Sequence, residues 1–194
     1  MNKIFNNTLL VLMLTCSFFS LQAQADNNDV TTDDHDVKII IPNFAILDVE
    51  PEATLSIDLT AGEPTEAGTA LNFANATNAD LWLNYSSIVA TSETRKITVQ
   101  TSAAIPAGLE LKVTAAPYAG ADGGGITGAP TTEVTLSTTA ADIVTGIGSC
   151  YTGDGNTNGH NLNYALNAID ADYGNIVSST AGTTITITYT IVTE

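Results

Sequence analysis

The chain has 194 residues, with 5 Lys and Arg against 21 Asp and Glu, a formal net charge of −16 and 2 Cys. Five cations cannot displace the counterions of a phosphate backbone, and an anionic membrane surface would repel such a chain, so nucleic-acid binding and electrostatic membrane attachment are excluded. Mean hydropathy is +0.16 and only 13% of residues are charged, so there is apolar surface enough for a core, and the polarity comes from Thr, Asn, Ser and Gly.

Residues 1–25 read as a secretory signal peptide. Lys3 gives a positive start, Leu9-Leu10-Val11-Leu12-Met13-Leu14 opens an apolar stretch to Leu21, and Ala23-Gln24-Ala25 places small residues at −3 and −1 of a cleavage site. Thr15, Ser17 and Ser20 interrupt the stretch, which argues against a membrane-spanning helix. Thr15 before Cys16, and Phe18-Phe19 after it, argue against lipidation at that cysteine. Export to the cell surface or beyond is therefore expected, with no transmembrane segment in the mature chain. Cys150 is then the only cysteine left, expected as a small buried hydrophobe or a thiol for an intermolecular bond.

Residues 26–36, DNNDVTTDDHD, hold five Asp and a single Val, too little apolar surface to pack, and predict a disordered acidic tail. From residue 37 to residue 194 the pattern is one domain of short β-type runs. The candidates are Val37–Ile41, Ala45–Val49, Thr54–Leu59, Asp80–Ser86, Arg95–Thr101, Leu109–Ala115, Glu133–Ser137, Ile143–Gly146, Asn161–Asn167 and Thr183–Val192. In the last, Ile185, Ile187, Tyr189 and Ile191 form one face, and Thr184, Thr186, Thr188 and Thr190 the other. That period of two sets one row against a core and the other toward water. Only Ala165–Tyr173 has any helical character. Strands without long helices between them predict an all-β fold, a single antiparallel immunoglobulin-like β-sandwich.

Few motifs carry chemistry. Gly123-Gly124-Gly125-Ile126-Thr127-Gly128 has phosphate-loop spacing but lacks the strand–helix frame that cradles a phosphate, so Gly120–Gly128 reads as a loop. Asp154-Gly155-Asn156-Thr157-Asn158-Gly159 fits the front half of a calcium loop, with Ala165 where the closing glutamate would stand. Asp154, Asn156 and Asn158 are candidate calcium ligands, with Asp170 or Asp172 supplying a further carboxylate. The alternative is an ordinary Asx/Gly surface loop. Asp33-Asp34-His35-Asp36 is a weaker chelating candidate, since a solvated tail would have to be ordered to bind. Cys150 and His160 lack an orienting group and an oxyanion pattern, so no catalytic residues are expected. Trp82, in Leu81-Trp82-Leu83-Asn84-Tyr85, reads as a core residue, or as a sugar platform if exposed.

The signal peptide, the acidic Thr/Asn/Gly-rich body, Asn161-Leu162-Asn163-Tyr164-Ala165-Leu166 and the closing TITITYTI strand together resemble secreted bacterial surface β-sandwiches. The likeness is to fimbrial or spore-coat-U-like subunits and to WxL-type domains, and concerns mainly residues 133–194. Tyr189-Thr190-Ile191 stands where WxL-type domains carry Trp-x-Leu, and the cysteine pair of many pilins is missing. The resemblance implies a structural or adhesive cell-surface protein that self-associates, with an N-terminal strand donated to a neighbour's sandwich. Val37–Ile41 is expected to complete its own domain's sheet, with donation to a neighbour as the alternative. A calcium-dependent or carbohydrate-binding module is the second expectation.

Overall fold

The structure, a computed structural model, describes residues 34–54 and 56–194. It comprises a unit Met1–Ile40, of which residues 34–40 are described, and a unit Ile41–Glu194. Residues 34–43 carry neither helix nor strand.

The second unit is all-β and antiparallel. Its strands are β1 (Phe44–Glu50), β2 (Thr77–Ile88), β3 (Arg95–Thr101), β4 (Leu109–Ala115), β5 (Gly124–Pro130), β6 (Val134–Thr135), β7 (Ala141–Tyr151), β8 (His160–Ala168) and β9 (Ile187–Thr193). Short 3-10 helices at Glu52–Thr54 and Asp170–Asn175 are the only helical segments among the described residues.

The strands form one hydrogen-bonded path, β6-β4-β8-β2-β7-β3-β9, with β1 added to β2 and β5 to β7. The path becomes a two-layered sandwich because β2 changes partner along its length. Leu81, Trp82 and Leu83 pair with Leu162, Asn161 and His160 of β8, whereas Ser86 and Ser87 pair with Tyr151 and Cys150 of β7. β1 runs along the other edge of β2, Phe44 opposite Ile88 and Glu50 opposite Trp82. One layer is therefore β1-β2-β8-β4-β6 and the other β5-β7-β3-β9.

Alternation explains the core between the layers. Leu81, Leu83 and Tyr85 of β2 meet Ile97 and Val99 of β3, Val113 and Ala115 of β4, Ile143 and Ile147 of β7, and Leu162 and Tyr164 of β8. Each fully buried aliphatic side chain contributes roughly 1.5–3 kcal/mol. Two hydroxyls cross the interior: Tyr164 Oη of β8 and Tyr189 Oη of β9 lie 2.6 Å apart. Residues 134–137 carry the chain between layers, Leu136 N donating to Leu111 O at 2.8 Å and Ser137 O accepting from Thr101 N at 2.9 Å.

Three expectations are corrected. Val37–Ile41 is not a strand of its own sandwich, which begins at β1. The described residues of Thr54–Leu59 are not a strand either, although Ile57 and Leu59 pack against the core from irregular backbone. Gly120–Gly128 is not one loop, because Gly124–Pro130 forms β5 against β7. Its glycines make room for neighbours: the Tyr151 ring lies 3.3 Å from where a Cβ of Gly124 would stand, and a Cβ at Gly125 would collide with the Ser149 carbonyl. Gly125 also has φ +89°, which glycine adopts without strain.

Candidate functional site

Val37, Ile39, Ile40 and Ile41 are 71–79% exposed, an unusual state for consecutive β-branched residues. Beyond them the outward face of β1 presents Phe44 and Ile46, the latter 64% exposed. Apolar surface exposed in one contiguous stretch of chain marks an interaction surface more often than solvated decoration.

One flank of the sandwich has matching character. Among the described residues β1 is paired only with β2, and β9 only with β3. The two strands approach each other but share no ladder. Their inward side chains, Leu47 and Val49 on β1 and Ile187, Tyr189 and Ile191 on β9, are only partly buried where they pack on the core. Free main-chain edges beside incompletely covered apolar side chains can accept another strand.

The calcium candidates divide into two groups. Asp154, Asn156 and Asn158 lie in the β7–β8 loop, where Asn158 Nδ2 donates to Asp154 O at 2.8 Å and Asn158 N to Gly155 O at 3.4 Å. Asp170 and Asp172 lie in the 3-10 helix that follows β8. Since β8 is extended from His160 to Ala168, roughly 25 Å of strand separates the groups. The fold does not bring the five together. No group of three or more His, Cys, Asp or Glu positioned to hold a metal ion occurs among the described residues.

His160 is fully buried at the start of β8, at the seam where β2 passes from β8 to β7. Its Nδ1 lies 2.8 Å from Ala116 O and its Nε2 2.8 Å from Tyr85 Oη. A carbonyl only accepts, so Nδ1 carries the proton. The Tyr85 hydroxyl also lies within hydrogen-bond reach of Thr127 O of β5, so its single proton is shared between two acceptors. Burial lowers the His160 pKa below its usual 6.5, against the opposing effect of the Ala116 and Thr127 carbonyls. Burial likewise pushes the Cys150 thiol up to about 11 and the Tyr85 phenol far above its ordinary range. Cys150 is a buried free thiol, and the His160 ring nitrogens are engaged by Tyr85 and Ala116 instead. The grouping ties β2, β5, β8 and the segment after β4 together.

Trp82 faces outward and is half-buried, and Tyr151, beside the β7–β8 loop, is 55% exposed. Sequence reasoning missed the burial of Asn84, which is 4% exposed on the outward face of β2; its cover comes from Asn158, 74 residues away. No helix among the described residues is long and apolar enough to cross a membrane. The chain matches no family model, no curated protein and no solved structure.

Proposed function

We propose that this chain is a non-enzymatic structural or adhesive protein of the cell surface or extracellular space, and that it self-associates by strand addition. The observation that carries the reading is the exposure of Val37–Ile41 without a strand partner. In the proposed assembly that run enters the β1/β9 flank of a second copy, where main-chain bonds supply affinity and alternate side chains fill the partly covered interior. Export by the residue 1–25 leader would deliver it to that compartment. With a formal charge of −16, copies repel one another, so strand pairing must overcome a barrier that salt screens. The test is the mass of the purified protein across concentration and salt: association that disappears on deleting residues 37–41 supports the reading, and a monomer at every concentration refutes it.

A second reading, a carbohydrate-binding module, has exposed Tyr151 beside a polar loop in its favour, since an exposed ring offers a stacking face. Retention on immobilised polysaccharides that Tyr151→Ala abolishes would select it over assembly.

A further inference from the structure

Asn84 breaks the burial pattern of its strand. Leu83 and Tyr85 face the core, so Asn84 belongs to the outer face with Trp82 and Ser86, yet it is almost wholly enclosed. Its Nδ2 donates to Asn158 O at 2.7 Å, and Gly159 packs against the Leu83 carbonyl. That bond fixes the amide, because a flipped side chain would set oxygen against the Asn158 carbonyl. Asn158 approaches from the β8 edge of β2, and β1 occupies the opposite edge. The amide oxygen Oδ1 is buried with no hydrogen-bond partner. Buried acceptors without a donor are rare and costly.

The β1 residues beside Asn84 are acidic. Asp48 is the register partner of Asn84, and Glu50 that of Trp82. Directly opposed residues of an antiparallel pair share a face with Cβ atoms about 5 Å apart, and residues two apart on one strand share it too. Asp48 Oδ1 accepts from Val49 N and Glu50 Oε2 from Glu52 N, so each carboxylate keeps its second oxygen for a ligand. Two carboxylates and the residue with the orphaned amide oxygen therefore share the outer face of the β1–β2 pair.

We propose that Asp48, Glu50 and Asn84 form a site for a hard divalent cation, calcium fitting best because it accepts carboxylate, amide and water oxygens in flexible geometry. The site is separate from the Asp154 carboxylate and from Asp170 and Asp172. It would join β1 to β2 and, through Asn84, to the β7–β8 loop.

Terbium tests it directly in the full chain, because Trp82, the only tryptophan, stands on the same face opposite Glu50 and would sensitise an ion bound there. The expected result is saturable sensitised emission that calcium displaces. Asp48→Asn and Glu50→Gln should each weaken binding roughly tenfold or more, at least what loss of a group supporting a metal ligand costs, while Asp154→Asn and Asp170→Asn leave it unchanged. Asn84→Ser should weaken it as well; if that variant fails to fold by circular dichroism, the two carboxylate variants carry the test. Absent or unsaturable emission, no displacement by calcium, or equal binding by wild type and Asp48→Asn would overturn the proposal.

Discussion

Ile187-Thr188-Tyr189-Thr190-Ile191 of β9 and Val37-Lys38-Ile39-Ile40-Ile41 have similar β propensity, yet the first lies in a ladder with β3 and the second stands exposed and unpaired. The difference is in their periods. β9 alternates, so covering one face satisfies it while its threonines meet water. Ile39-Ile40-Ile41 is apolar on both faces, the pattern of a strand covered from two sides. Among the described residues it belongs to no strand, and its exposure is the reason for proposing a second copy as its partner.

The largest effects are expected in the self-sufficient sandwich. Leu83→Ala, at a fully buried site between the layers, should cost about 2–5 kcal/mol by denaturant unfolding. A loss below 1 kcal/mol would mean that the sandwich core is not where stability resides. Gly125→Ala, which sets a Cβ against Ser149 O at positive φ, should cost about 1–3 kcal/mol and lower amide-exchange protection most in β5. If it were neutral, β5 would not be a paired strand. Tyr189→Phe removes one of two hydroxyls that satisfy each other and should cost about 1 kcal/mol.

Stability should also bend with pH at both ends. The folded pKa of His160 lies below 6.5, so the unfolded chain binds the proton more readily. Its contribution is full above pH 6.5 and is lost as pH falls below that. The folded pKa of Cys150 lies above the usual 9.0, so its contribution is full below pH 9 and is lost as pH rises toward 11. Unfolding midpoints measured across pH should show both limbs. His160→Gln should flatten the acid limb relative to wild type, and an unchanged limb would place the responsible group elsewhere. The smallest effect is expected at the exposed run, where Ile40→Ser should shift monomer stability by less than about 0.5 kcal/mol. A larger loss would show that the run packs on its own chain.

Where one face is buried, the sequence is a good guide. β3 and β4 match the expected Arg95–Thr101 and Leu109–Ala115 limit for limit, because Ile97/Val99 and Leu111/Val113 alternate cleanly with polar residues. β1, β2, β7 and β8 are found but run longer, since ladder pairing carries them past the apolar residues that revealed them. β9 begins at Ile187, later than the alternating run that starts at Thr183. β5 was hidden by its own composition, for glycine reads locally as a turn when its role is to admit Tyr151 from the next strand. The calcium-like loop was legible as a loop, but residue spacing could not reveal that β8 sets Asp170 and Asp172 far from it. Nor could it reveal Asn84, whose burial depends on a loop distant in sequence.

The central claim, that Val37–Ile41 is an interaction strand for a second copy, is tested most directly by sedimentation velocity over a range of protein concentrations, comparing the wild-type chain with Ile39→Asp and Ile40→Asp. The wild type should associate with rising concentration, more strongly in salt, and both variants should stay monomeric with unchanged unfolding midpoints. Equal association by wild type and variants, or a wild type that stays monomeric throughout, would contradict it.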